Sequence, residues 1–187
     1  MNLTNLRVIK ADIAKLVRWE TSLPSYVFVP EGYGYAYFFE SPVAGSWDLL
    51  SEIVEFLSSS YEEPGYISIG HDGGTGEFDP AAVEQTMLRA DAEELHKNGH
   101  SGPFFQYLRC NPYTGITCGS HPTHSWILYD DPSDGAGVLV SKKQLRRTGG
   151  RFRYLLPAAE LPLRSGPSGL DWSAHFVEKL MASYPRS

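Results

Sequence analysis

The side chains best suited to chemistry gather in one stretch of fifteen residues. Both cysteines of the chain and two of its six histidines lie there, as Cys110, Cys118, His121 and His124. Zinc binds four such ligands in a tetrahedron, and the two-residue gaps that separate the last three suit a short loop. The seven residues between the cysteines, however, are not a recognised zinc-knuckle spacing. We therefore keep two interpretations, a zinc site and a pair of cysteines packed as small hydrophobic side chains.

The same cluster also offers an enzymatic interpretation. Cys118 would act as the nucleophile and His121 or His124 as its base, and such a pair needs a third group to orient the base. The basic segment 142–153, which holds six Lys or Arg residues and no acid, would then grip a phosphate-bearing substrate. Charge runs more often form a solvated face. A zinc-binding domain or hydrolase-like enzyme is thus the second class of function that the sequence suggests.

A glycine-rich loop, 71–79, follows a predicted strand and precedes a predicted helix, where phosphates are often bound. The loop has no Lys-Ser or Lys-Thr pair and no three-glycine dinucleotide pattern. Its acids Asp72, Glu77 and Asp79 would repel an anion. We interpret the loop as a turn in which Asp79 caps the following helix.

The composition is that of a folded acidic domain. The chain has 187 residues, of which 42% are hydrophobic, and a formal net charge of −6, divided as −10 over residues 1–100 and +4 over residues 101–187. The negative total disfavours nucleic-acid binding, which depends on Lys and Arg releasing phosphate counterions. No apolar run reaches the roughly 18 residues of a membrane span. The first ten residues lack the features of a secretory signal, so we expect a cytoplasmic protein.

Apolar periodicity and turn residues predict the elements that must position these side chains. The predicted helices are 6–19, 47–57 with Ser46 as its N-cap, 79–97, and a last one that begins after Asp171. The predicted strands are 26–29 and 35–39, joined as a hairpin, then 66–69, 104–108, 126–129, 138–140 and 152–156. Because these elements do not alternate regularly, we expect a single α+β domain, 1–187, with a mainly antiparallel sheet packed by about three helices. A Pro/Gly-rich linker, 157–169, precedes the C-terminal helix.

An acidic stripe runs along the predicted helix 47–57, opposite its apolar face. Asp48, Glu52 and Glu55 follow helical spacing, and Glu62 and Glu63 come shortly after. Like charges four residues apart weaken a helix slightly, and the sequence shows no basic partner for them. The stripe therefore indicates either solubility or recognition of a basic protein partner.

The stretch SWDLLSEIVEFL followed by GYISIGHDGG, a helix leading into a strand and a glycine-rich turn, resembles the opening part of small cytosolic bacterial toxin-immunity proteins. The resemblance covers about thirty residues. It implies a non-enzymatic inhibitor whose acidic face and exposed aromatic side chains occlude the basic active-site cleft of a toxin. It brings no catalytic residues with it. Our leading hypothesis is accordingly a monomeric or dimeric α+β binding protein.

Overall fold

The computed structural model describes residues 12–13, 15–71, 85–98, 115–146, 153–161 and 172–185. Its strands are β1 (Tyr35–Glu40), β2 (Gly65–His71), β3 (Gln85–Ala90), β4 (Gly115–Ser120), β5 (Trp126–Asp131), β6 (Ala136–Ser141) and β7 (Leu156–Pro157). They form one seven-stranded sheet in the order β3-β2-β4-β5-β6-β1-β7, in which every neighbouring pair is antiparallel. The predicted α+β fold with an antiparallel sheet is confirmed.

The helices are α1 (Trp47–Ser60), α2 (Ala92–Asn98) and α3 (Ala174–Ser183). The Ser46 hydroxyl accepts the Leu49 N–H at 3.2 Å, so the predicted N-cap of α1 is confirmed. A 3-10 turn, Val43–Gly45, leads from β1 into α1. None of the helices in the described part of the chain is long and apolar enough to cross a membrane.

Both faces of the sheet are covered. Because the side chains on both faces of β5 and β6 are buried, the sequences of these strands are nearly continuous apolar runs. On one face, Leu50 and Ile53 of α1 pack with sheet residues that include Phe39 and Leu128. On the other face, Leu180 of α3 belongs to a second buried cluster, together with residues from the segment before β1. Successive side chains along each strand therefore alternate between the two cores.

The predicted hairpin of 26–29 with 35–39 is wrong. Phe28 forms only an isolated bridge, with Val17, and the Val29 N–H donates to the Leu16 carbonyl at 2.8 Å. β1 pairs instead with β6 and β7. The segment that was predicted as the end of helix 6–19 is thus extended at Val17, in keeping with the preference of β-branched residues for extended backbone.

The predicted helix 79–97 is also wrong over about half of its described length. Residues 85–90 form β3, which pairs with β2, and the helix begins only at Ala92. Asp91 caps it, because its carboxylate accepts the Glu93 and Glu94 N–H groups at 3.0 and 3.3 Å. Sheet pairing has overridden the local preference for helix.

Three smaller differences concern strand β4, strand β7 and helix α3. Strand β4 was not predicted. Of the predicted strand 152–156, only residue 156 is in a described strand, in β7. Ser173 is the N-cap of α3, and the predicted cap, Asp171, lies outside the described residues, as do the predicted strand 104–108 and most of the linker 157–169.

Candidate functional site

Two acids of the stripe hold another part of the chain. The Glu52 carboxylate accepts the backbone N–H groups of Arg153, Tyr154 and Leu155 at 2.9–3.1 Å. The Tyr154 hydroxyl donates to Asp48 at 3.3 Å. These partners are backbone N–H groups and a hydroxyl rather than basic side chains, and they come from the residues at and just after the end of the basic segment 142–153. Asp48 and Glu52 therefore have a structural role.

The remaining acids of the stripe lie toward the C-terminal end of α1. Glu55 is within 3.4 Å of the His96 ring on α2, in a pair that is about half exposed on both sides. Glu62 and Glu63 are exposed in the turn that follows α1. The Ala92 N–H donates to the Ser58 hydroxyl at 2.9 Å, which places α2 against this end of α1.

Helix α2 adds carboxylates of its own to this end of α1. Asp91, Glu93, Glu94 and Lys97 line a groove of about 330 Å³. Arg89 lies 3.4 Å from Asp91 and 4.0 Å from Glu94. We call Glu55, Glu62, Glu63, Glu93 and Glu94 together the acidic α1–α2 surface.

Cys118 lies in β4 with its side chain buried among apolar neighbours such as Ile127 and Tyr129. Burial raises the pKa of the Cys118 thiol far above its usual range, and the nearby acids Asp130 and Asp131 raise it further. A thiol that stays protonated is a poor nucleophile. The structure thus places Cys118 as a small core side chain, and Cys110 lies outside the described residues.

His121 begins the hairpin loop between β4 and β5. Its Nε2 lies 3.1 Å from the Glu63 carbonyl oxygen, which can only accept, so Nε2 carries the proton. Its Nδ1 accepts the Thr123 N–H at 3.2 Å and lies 2.8 Å from the Thr123 hydroxyl. Burial lowers the pKa of His121. Both ring nitrogens are therefore used to close the loop onto the turn that follows α1.

His124 has a left-handed backbone conformation, with φ of 51°, and its carbonyl accepts the Tyr33 hydroxyl at 3.0 Å. In the described part of the chain, no three or more His, Cys, Asp or Glu residues are grouped so that they could hold a metal ion. The zinc site predicted at Cys110, Cys118, His121 and His124 remains a prediction, because one of its four ligands is not described.

The start of the basic segment packs on the same loop. Lys143 places its ammonium 4.2 Å from the centre of the Tyr61 ring, in a cation–π contact. The Tyr61 hydroxyl donates to the Ser125 carbonyl at 3.0 Å. Residues 147–152 of the segment, and residues 72–79 of the glycine-rich loop, lie outside the described residues.

Sequence reasoning missed Asp130, near the end of β5. Its side chain is fully buried, and one carboxylate oxygen accepts the Val43 N–H at 2.8 Å. Burial raises the pKa of Asp130 from 3.8 to about 7, although the Ser41 hydroxyl and the Val43 N–H lower it. The only available signal was a pair of acids, Asp130 and Asp131, that ends an apolar strand.

Comparison with protein-family models, curated proteins and solved structures finds no match for this chain.

Proposed function

We propose that this protein is a non-enzymatic binding domain that recognises a basic protein partner through the acidic α1–α2 surface. The observation that supports the proposal is that the acids fall into two groups with different surroundings. Asp48 and Glu52 are bonded to the chain, whereas Glu62, Glu63 and Glu93 are exposed and form no salt bridge to any described residue. Folding does not account for this second group.

An acidic surface of this kind suits a cationic partner. Clustered charge of one sign speeds the encounter with a partner of opposite sign and disfavours partners of like sign. The groove beside Glu93 and Glu94 is large enough for a Lys or Arg side chain, and a carboxylate pairs with a guanidinium through two parallel hydrogen bonds. The net charge of −6 also attracts a cationic partner.

Within this class of binding domains, we propose that the protein is an immunity-type inhibitor. The resemblance of the helix–strand–glycine stretch to toxin-immunity proteins supports this proposal. Such a protein acts stoichiometrically in the cytoplasm, where it covers the basic cleft of a toxin. It needs no catalytic residue and no cofactor. The partner-binding residues are then Glu55, Glu62, Glu63, Glu93 and Glu94, while Asp48 and Glu52 support the surface from the other end of α1.

A charge-reversal series tests the proposal. The triple variant Glu55→Lys, Glu93→Lys and Glu94→Lys is compared with a control that carries the same charge change at exposed acids elsewhere, Glu20→Lys, Glu40→Lys and Glu178→Lys. The measurement is the association rate with the protein that co-purifies with the wild-type chain, at low and high salt.

We expect the surface variant to associate at least about tenfold more slowly than the control at low salt, and the difference to shrink as salt screens the charges. Circular dichroism establishes that both variants are folded. Equal association rates for the two variants would remove the acidic α1–α2 surface from the proposal.

The second candidate function is a zinc-binding domain or hydrolase-like enzyme built on Cys110, Cys118, His121 and His124. In its favour, His121 is held in a fixed orientation, but both of its ring nitrogens are bonded within the loop and burial raises the pKa of the Cys118 thiol. The variant Cys118→Ser separates the candidates, because a zinc site would lose metal and stability whereas a binding domain would keep its partner.

A further inference from the structure

Three successive backbone N–H groups converge on one carboxylate oxygen beside α1. Those of Arg153, Tyr154 and Leu155 donate to Glu52 Oε1 at 3.1, 3.0 and 2.9 Å, and the Arg153 N–H also lies 3.1 Å from Glu52 Oε2. Successive N–H groups that point into one concave space form a nest, which is an anion-binding arrangement. We call these three groups the 153–155 nest. The Glu52 carboxylate occupies the position that a bound anion takes in such a nest.

The shape of the 153–155 nest does not depend on Glu52 alone. Leu155 is fully buried in the core that contains α1, and Leu156 is buried in the core on the opposite face of the sheet. Leu156 also pairs with Phe38 of β1. Because both cores and the sheet hold this backbone, we expect the three N–H groups to stay in place when the Glu52 carboxylate withdraws.

The segment that leads into the 153–155 nest carries more positive charge than its acidic neighbours balance. Segment 142–153 holds six Lys or Arg residues and no acid. Glu52 and Asp48 are the described acids that accept hydrogen bonds from its end. Four of the six cations are described, all four are exposed, and none forms a salt bridge with another described residue: Lys142, Lys143, Arg146 and Arg153. This surplus of positive charge favours a further anion.

We propose that the 153–155 nest binds one oxyanion group of a ligand, a carboxylate or a phosphate, and that Glu52 is a built-in competitor which this ligand displaces. Both groups accept hydrogen bonds from backbone N–H donors, and such bonds are strengthened by the charge of the acceptor. Glu52 is half-buried on the surface of α1, so its side chain can turn into solvent while the helix stays folded. The site lies at the other end of α1 from the acidic α1–α2 surface and does not rest on the proposed function.

The test is a titration with sodium phosphate or sodium acetate, followed through the NMR signals of the amide groups of residues 153–155. Glu52→Ala removes the competitor from the 153–155 nest. Glu55→Ala removes the same charge from the same helix and leaves the nest filled. We expect the amide signals of Glu52→Ala to shift, with half-saturation at a concentration at least about tenfold lower than in the wild type or Glu55→Ala, because a tethered carboxylate competes at a high effective concentration. The anion that saturates at the lower concentration identifies the ligand class.

Thermal melts give a second readout. When phosphate or acetate replaces chloride at equal ionic strength, the Tm of Glu52→Ala should rise by about 3 °C more than that of Glu55→Ala, as for a ligand at about ten times its Kd. The comparison with Glu55→Ala removes the general stabilisation of proteins by phosphate. If Glu52→Ala does not fold, the neutral variant Glu52→Gln takes its place. Amide signals that stay unshifted in the Glu52 variant, or half-saturation at the same concentration in that variant and the wild type, would overturn the proposal.

Discussion

Carboxylates near the start of α1 are hydrogen-bonded to the chain itself, whereas those near its end are exposed. At the start, Asp130 binds the Val43 N–H, Glu52 binds three backbone N–H groups, and Asp48 accepts the Tyr154 hydroxyl. At the end, the salt bridges that the acidic α1–α2 surface makes with other described residues are the exposed pairs of Glu55 with His96 and of Glu94 with Arg89. The same residue types thus stabilise the fold in one region and leave a charged surface in the other.

This difference shows why an acidic stripe in a sequence cannot be interpreted as one unit. Glu52 and Glu55 are neighbours on the helix. Glu52 accepts hydrogen bonds from segment 153–155, whereas Glu55 pairs with His96 on the surface. Substitutions at the two ends of α1 should therefore affect different properties. Those at the start should change stability, and those at the end should change binding.

The largest effect that we expect is the pH dependence conferred by Asp130. Its pKa is about 7 in the folded protein and near 3.8 when unfolded, so the folded state holds a proton that the unfolded state has released. This stabilisation is fully present below pH 3.8 and is lost as the pH rises to about 7. Relative to Asp130→Asn, the wild-type free energy of unfolding should fall by about 4 kcal/mol over that interval.

Urea denaturation from pH 4 to 8 measures this dependence on Asp130. Parallel pH profiles for the wild type and Asp130→Asn would mean that Asp130 is not the buried acid described above.

The second effect separates Glu52 from Glu55. Glu52→Ala leaves the N–H groups of residues 153–155 without their acceptor, and we expect a loss of about 2 kcal/mol in the free energy of unfolding. Glu55→Ala, the matched control one turn away, removes only an exposed pair and should change it by less than about 0.5 kcal/mol. Chemical denaturation of both variants checks this, and equal losses would abolish the distinction between the two ends.

The smallest effect is a pH dependence of opposite sign at His121. Its pKa is lowered in the folded protein because burial disfavours the charged ring. The stabilisation is present above the unfolded pKa of 6.5 and is lost as the pH falls through the lower folded value. Relative to the neutral variant His121→Gln, the wild type should therefore become less stable below about pH 6. Thermal melts from pH 5 to 8 test this, and a difference that stays constant with pH would contradict it.

Local patterns predicted the parts of the fold that depend on neighbouring residues. Helix α1 and its Ser46 cap follow from apolar spacing within one segment, and β5 and β6 follow from short apolar runs. Strand β3 could not be predicted in this way, because its extended form depends on pairing with β2, about twenty residues earlier in the chain.

The candidate sites depend even more on distant contacts. Glu52 and Arg153 are 101 residues apart, so the sequence showed an acidic stripe and a basic segment but not their contact. Asp130 reads as an ordinary acid at a strand end, and only the packing of the Val43 turn over β5 buries it. His121 was predicted as a ligand or base by type, while its actual contacts close a loop.

We propose that the acidic α1–α2 surface binds a basic protein. Native mass spectrometry of the protein, purified from its own cells without chelator, tests it most directly because one spectrum reports bound chains and bound metal together. We expect a stoichiometric complex with a second, basic chain that dissociates at high salt. A chain without any protein partner, carrying the additional mass of one zinc ion, would contradict this proposal and favour the Cys/His site.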